Sequence, residues 1–171
     1  MSMNKMVLPL CSVLALGAMV GGEANANGGS SNSAVISAKF NCGTASVDGD
    51  VVQGVYATSI NIHNPQQQST VQFTKTFVEA FEEGSALPST FPTTNDSLGP
   101  NQAEFVDCSV IDKALGVTSS TQIEGFVVID ITNFSYGNAS LDVVGKYTAR
   151  SSTGQVSGLD IVVYTPSQIS H

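Results

Sequence analysis

The chain has 171 residues, a formal net charge of −8, 12% charged residues and no tryptophan. Such an acidic chain is a poor match for nucleic acid or an anionic membrane surface, because both bind clustered lysine and arginine. Beyond the N-terminal segment the cations are few and scattered: Lys39, Lys75, Lys113, Lys146 and Arg150. We therefore expect no nucleic-acid partner.

The N-terminal segment has the pattern of a secretory signal peptide. A lysine precedes an apolar run over residues 6–20, which is too short to span a bilayer, since that takes about 20 apolar residues. Ala24 and Ala26 fit the two small-residue positions of a signal peptidase site, so we predict cleavage after Ala26. Lipid attachment at Cys11 is an alternative that the bulky Leu10 disfavours. We expect an exported chain, secreted or periplasmic, with no membrane span after cleavage.

Cleavage leaves two cysteines, Cys42 and Cys108. An exported chain with two cysteines most often forms one intramolecular bond. Here it would close a loop of about 65 residues. By lowering the chain entropy of the unfolded state, such a bond stabilises the fold by roughly 4 kcal/mol. Two thiols acting as metal ligands would lack a nearby cysteine or histidine to complete a tetrahedral site. We predict a disulfide between Cys42 and Cys108.

Composition divides the exported chain into a leader, one domain and a tail. Residues 27–33 are polar and have nothing to bury, which predicts a flexible leader. Residues 34–166 have the size of one domain and contain alternating runs separated by glycine-rich turns. Residues 167–171 follow a proline and are predicted to form a C-terminal tail.

In the first half of the domain, side chains alternate between two faces, as they do in β-strands. A strand over residues 34–40 is followed by a predicted hairpin turn in SVDGDVV, residues 46–52. Residues 54–65 (GVYATSINIHNP) alternate between two faces and end at a proline, which has no N–H to donate. Residues 69–81 place phenylalanines on one face, interrupted by Lys75, and their threonine and valine content favours strand over helix.

The middle of the domain is less regular. Residues 82–101 contain three prolines and many hydroxyls, which predicts a long loop of the kind that is often functional. After a short strand over residues 103–106, Asp107 is predicted to cap a helix over residues 108–115 that a glycine ends. Residues 122–132 (QIEGFVVIDIT) form the most apolar run, which predicts a central strand covered on both faces.

Two further strands, residues 140–150 and 159–166, are separated by a glycine-containing turn. The total is about seven strands and one short helix, without the alternation of strands and helices that a parallel sheet requires. The predicted fold is therefore all-β, an antiparallel β-sandwich. A small β-barrel is the alternative.

Six strings between about Cys42 and Pro166 carry a family resemblance: GVYATSINIHNP, VQFTKTF, AEFVDC, EGFVVID, KYTA and LDIVVY. On these strings the chain resembles a family of small secreted bacterial all-β proteins to which no function is assigned. The string NIHNP is the most specific of them. The resemblance implies a secreted single-domain protein, and it transfers no functional residue.

His63 is the candidate for acid–base chemistry. A hydrolase would use it as a general base, oriented by Asp48, Asp50 or Asp107. The sequence lacks the GxSxG elbow that would identify a partner nucleophile. We prefer a structural role, in which His63 ends a strand and its ring bonds to backbone near Asn64.

Asp48 and Asp50 are weak candidates for a calcium site, because a hard cation prefers carboxylates on a tight loop. No glutamate follows at the twelfth position of such a loop, although Glu82, Glu83 or Asp107 could approach in space. A plain turn is the preferred interpretation, so we predict no metal and no cofactor.

These patterns favour a secreted, non-enzymatic structural or protein-interaction module of the periplasm or the cell exterior. It would act through β-sheet surfaces or the loop of residues 82–101, on a protein partner or by self-assembly. A small-ligand or calcium-binding β-sandwich is the first alternative. A hydrolase that uses His63 is the second.

Overall fold

The computed structural model describes residues 33–46, 52–118, 120–131, 140–151, 153–164 and 167–169. In these ranges the chain forms nine strands and one short helix. The elements, in chain order, are β1 (Ser33–Ala45), β2 (Gly54–His63), β3 (Val71–Glu79), β4 (Thr93–Leu98), β5 (Ala103–Asp107), α1 (Cys108–Leu115), β6 (Ile123–Ile131), β7 (Asp142–Ser151), β8 (Val156–Tyr164) and β9 (Ser167–Ile169).

The strands pair antiparallel in two connected sheets, which we call the first and the second sheet. The first sheet has the order β4-β3-β6-β1-β9, and the second has β2, β7 and β8 side by side with β5 on the other edge of β2. The strand path ends at β4 and at β8 and does not close into a barrel. This confirms the predicted all-β, sandwich-like fold.

Strand β1 belongs to both sheets. Residues 34–42 pair with β6 in the first sheet, and residues 43–45 pair with β2 in the second. The change occurs at Gly43, whose φ is 97°, a backbone conformation that favours glycine. A Cβ at this position would lie 2.2 Å from the carbonyl oxygen of Thr121, so the close approach of the two backbones also requires glycine.

The core lies between the inner faces of the two sheets. Its largest fully buried side chains come from both: Phe40, Phe73, Phe77, Ile36, Ile129, Ile131 and Val127 from the first sheet, and Ile60, Ile62, Val106 and Val143 from the second. Strand β6 is central, as predicted, but it is not covered on both faces. Its burial alternates, and Phe126 is 42% exposed, because one face of the first sheet is open to solvent.

Two segments that the sequence assigned to irregular structure form strands. Within the predicted loop of residues 82–101, Thr93–Leu98 pair with β3 as the edge strand β4. An edge strand tolerates polar residues, and Pro92 and Gly99 confine the strand to six residues. Beyond Pro166, Ser167–Ile169 pair with the start of β1 as β9 instead of forming a tail.

Helix α1 begins and ends as predicted. The side chain of Asp107 accepts a hydrogen bond from the backbone N–H of Val110, and Gly116 ends the helix in a left-handed conformation. The hydroxyl of Ser109 also donates to the Asp107 carboxylate, at 2.6 Å. The Ser109 hydroxyl, followed by the Val110 N–H, holds the pKa of Asp107 below its ordinary value of 3.8.

Replacing Asp107 by alanine is expected to lower the free energy of unfolding by about 1 kcal/mol at neutral pH, since the helix loses its cap. A lowered folded-state pKa adds stability that is complete above the unfolded value of 3.8 and is lost as the pH falls through the folded value. The difference between wild type and variant should therefore shrink on acidification. Urea unfolding measures the difference in unfolding free energy between wild type and variant, once at neutral pH and once at the lowest pH where the fold persists. A constant difference would contradict the role of the charge.

Candidate functional site

The predicted disulfide joins β1 to the first residue of α1, which directly follows β5, where β1 and β5 share one edge of β2. The end of β1 occupies that edge at Gly54–Tyr56, and β5 occupies it at Ser59–His63. The sulfurs of Cys42 and Cys108 are bonded across the junction, with the two Cα atoms 5.5 Å apart. Cys42 is fully buried. The prediction of this disulfide is confirmed.

Thr58 fills the gap in the ladder between β1 and β5. Its Oγ1 accepts from the backbone N–H of Asn41 and donates to the Asn41 carbonyl, both at 2.9 Å. Its own N–H donates to the Sγ of Cys108 at 3.2 Å. Buried polar groups need such partners, so the junction is a closed, structural arrangement and not an open reactive site.

His63 lies at the end of β2, on the outer face of the second sheet. Its Nδ1 is 3.3 Å from an oxygen of Asp142, and its Nε2 is 3.2 Å from the side-chain oxygen of Asn101. The preferred prediction, a bond to backbone near Asn64, is wrong, because the partners are two side chains on β7 and in a turn. Asp107, which the hydrolase hypothesis considered as an orienting group for His63, caps α1 instead.

Asn64, next to His63, is fully buried and connects two loops. The two hydrogens of its side-chain NH₂ are shared among the carbonyls of Ser69, Leu98 and Gly99, which lie 2.8–3.0 Å from the nitrogen, and its oxygen accepts from the Gln66 N–H at 3.0 Å. This network fixes the loop after β2 against the turn after β4. Asn64, the second asparagine of the NIHNP string, is therefore a structural connector.

The remaining sequence candidates concern a metal ion and the signal peptide cleavage position. Among the described residues, no group of three or more histidine, cysteine, aspartate or glutamate side chains could hold a metal ion. Asp48, Asp50 and the predicted cleavage position at Ala26 lie outside the described residues.

An open depression of about 470 Å³ lies over β3 and β4, lined by Gln72, Phe73, Thr74, Asn95, Asp96 and Ser97.

The described residues include no helix with the length and apolar character needed to cross a membrane.

The outer face of the second sheet carries a row of side chains that are apolar except for Asn61. The register places Phe105, Asn61, Val144 and Val163 side by side on β5, β2, β7 and β8. Phe105 is 63% exposed and Val163 is 70% exposed. In the next row on this face, Ile161 on β8 is 59% exposed and lies opposite Lys146. Adjacent apolar side chains on an exposed sheet face are typical of a contact surface.

The free edge of β8 borders this row. In the part of the chain that the structure describes, β8 pairs with β7 alone, in regular register from Leu159 to Tyr164. Exposed edges are usually protected by lysine, proline or short length. Strand β4, at the opposite end of the strand path, has six residues that are mostly polar and exposed. Strand β8 has nine residues, no lysine and no proline.

We call the edge of β8 together with Phe105, Ile161 and Val163 the β8 surface. Sequence reasoning located its strand but did not identify the surface. The available signal was the segment LDIVVY (residues 159–164), with a single charged residue, Asp160, in the last long strand. What the sequence could not supply was the position of β8 at the end of the sheet, which depends on pairing with β7.

No family model, no curated protein and no solved structure matches this chain.

Proposed function

We propose that the protein is an exported, non-enzymatic interaction module that takes up an extended strand of a partner chain at the β8 surface. One observation carries this proposal: a nine-residue edge strand with six apolar residues that pairs on one side only among the described residues. A partner strand would satisfy the backbone N–H and carbonyl groups on the side of β8 that faces away from β7, and apolar side chains would cover Val163 and Ile161.

Export is supported by the N-terminal pattern of residues 1–26 and by the Cys42–Cys108 disulfide, because disulfides persist in oxidising compartments. The hydrolase alternative is less well supported. Both ring nitrogens of His63 face side-chain oxygens, of Asp142 and Asn101, and a general base needs one nitrogen directed at the group it deprotonates. The calcium alternative rests on Asp48 and Asp50 and stays a prediction.

The test uses the double variant Ile161→Lys, Val163→Lys. Both side chains are more than half exposed, so the fold should survive while lysine blocks strand addition at the edge. We measure the solution mass by light scattering and the binding of a labelled peptide with the sequence of residues 156–164. We expect wild type to bind the peptide and the variant to lose at least tenfold in affinity, about 1.4 kcal/mol.

A matched control is Val55→Lys, which changes a half-exposed valine on β2, away from the β8 edge. It should leave peptide binding unchanged. A wild-type mass of several protomers that falls to one protomer in the double variant would identify the partner strand as a second copy. A wild type that is monomeric at all concentrations and does not bind the peptide would refute the proposal.

A further inference from the structure

Lys75 is a buried cation on the inner face of the first sheet. It lies on β3 between Phe73 and Phe77, which are both core residues, and is itself 7% exposed. Its Nζ lies 5.9 Å from the centre of the Phe73 ring. A buried charge is costly unless it is paired. The position therefore requires a specific reason for a lysine where the strand pattern expects an apolar residue.

Two carboxylates from two different strands meet the Lys75 amine. An oxygen of Asp96, on the neighbouring strand β4, is 3.0 Å from Nζ, and an oxygen of Glu104, on β5 of the second sheet, is 2.6 Å away. In the β3–β4 register, Asp96 is opposite Phe73, two positions from Lys75 on the same face. The Lys75 amine, the Asp96 carboxylate and the Glu104 carboxylate thus meet at the edge of the core.

We propose that this cluster is a self-processing site, in which Lys75 and Asp96 condense to an intramolecular isopeptide bond with Glu104 as the proton relay. A proton first passes from Nζ to the Asp96 carboxyl, giving a neutral amine and a neutral acid. Nζ then attacks Cγ of Asp96, and the N–C bond forms as Glu104 takes a proton from nitrogen. Glu104 returns that proton to the departing hydroxyl, so the C–O bond breaks and one water leaves. The charge of the cluster is the same before and after.

Two physical features favour condensation here. The sheet register holds amine and carboxyl together, which removes the entropic barrier of a bimolecular reaction. The burial of Lys75 between Phe73 and Phe77 keeps bulk water from the amine, so the amide, once formed, is protected from hydrolysis. A contrasting pair is Lys39 and Glu124, which are 3.2 Å apart but about half exposed, so water surrounds both groups.

The product would fix the edge strand β4 to β3. The Lys75–Asp96 bond would enclose the exposed residues 80–92 in a covalent loop, so cleavage within that segment would not release β4. This cross-link lies within the first sheet and is separate from the disulfide at the edge of β2. It is also independent of the β8 surface, so it goes beyond the proposed function.

The test is mass spectrometry of the purified, oxidised protein. We expect the intact mass to be lower than the mass of the oxidised sequence by one water. After denaturation, reduction and alkylation, trypsin should fail to cut after Lys75, because its amine is in an amide. The digest should then contain residues 40–113 as one fragment that lacks one water, where an unmodified chain gives residues 40–75 and 76–113 separately.

Three variants distinguish the reaction from other losses of water. Lys75→Arg keeps the cation and the fold but cannot condense, and it should have the full mass. Glu104→Gln should slow condensation during refolding about a hundredfold or more, since it removes the proton relay. Lys39→Arg, at the exposed pair, should still show the loss of one water.

A succinimide formed at Asp48-Gly49 would also lower the mass by one water, but it would leave trypsin cleavage after Lys75 intact. A folded wild type with full mass and normal cleavage after Lys75 would overturn the proposal.

Discussion

Removing the disulfide, by changing Cys42 and Cys108 to alanine, is expected to lower the free energy of unfolding by about 4 kcal/mol. The bond joins residues 66 positions apart, so its absence returns a large amount of chain entropy to the unfolded state. A domain of this kind has a total stability of about 5–15 kcal/mol, so the change removes a large fraction of it.

The loss has a local component as well. The bond holds β1 and β5 at the edge of β2, where the Thr58 N–H donates to the Cys108 sulfur. Without the bond, the β1–β2 pairing at residues 43–45 and the start of α1 should exchange their amide hydrogens sooner than the core of β6 does. Hydrogen exchange followed by mass spectrometry resolves these segments.

Urea unfolding of wild type, reduced wild type and the double alanine variant measures the global effect. Reduced wild type is the matched control, because it lacks the bond without any change of side chain, and its midpoint should fall close to that of the variant. The slope of free energy against urea is expected to rise in both, as the unfolded chain becomes more expanded. A reduced protein within about 1 kcal/mol of the oxidised one would contradict the chain-entropy account.

Local patterns were sufficient to predict most of the strands. Residues 59–63 (SINIH) alternate between polar and apolar side chains because one face of β2 contacts the core and the other contacts solvent, and this is visible without any knowledge of the partners. The cap at Asp107 and the stop at Gly116 are likewise local, since each satisfies backbone groups within one turn of its own helix.

Strands that depend on their neighbours were missed. Thr93–Leu98 have little apolar periodicity, and they form β4 because β3 supplies hydrogen-bond partners at the edge of the sheet. The run around Phe126 was assigned to a doubly covered strand, but periodicity does not reveal whether a second layer packs on the outer face. Both errors concern packing between distant parts of the chain.

The same difference between local and long-range information applies to the candidate sites. Sequence reasoning selected His63 and noted Lys75 as an interruption of an apolar face, but it could not supply their partners. Asp142 is 79 positions from His63, and Glu104 lies on the opposite sheet from Lys75. Long-range register brings these groups together, and a single sequence contains no direct record of that register.

Replacing Asn64 by alanine is expected to cost about 3 kcal/mol of unfolding free energy. The side chain is fully buried, its two N–H groups are shared among three carbonyls in two loops, and its oxygen accepts from one N–H. Each buried bond contributes about 1 kcal/mol, and a buried carbonyl left without a donor adds its desolvation penalty. The turn after β4 should loosen first, because Leu98 and Gly99 lose their connection to the end of β2.

Asn64→Asp separates hydrogen bonding from shape, since aspartate has the same size but no N–H to donate. It should be at least as destabilising as alanine, because its carboxylate would face the carbonyls of Ser69, Leu98 and Gly99. Asn61→Ala is the matched control: Asn61 lies three residues earlier on the exposed face of β2, and its replacement should change stability by less than about 0.5 kcal/mol. Urea unfolding compares all three variants. If Asn64→Ala behaved like Asn61→Ala, the two loops would hold each other without the asparagine, and the most specific string of this sequence would need an explanation outside the fold.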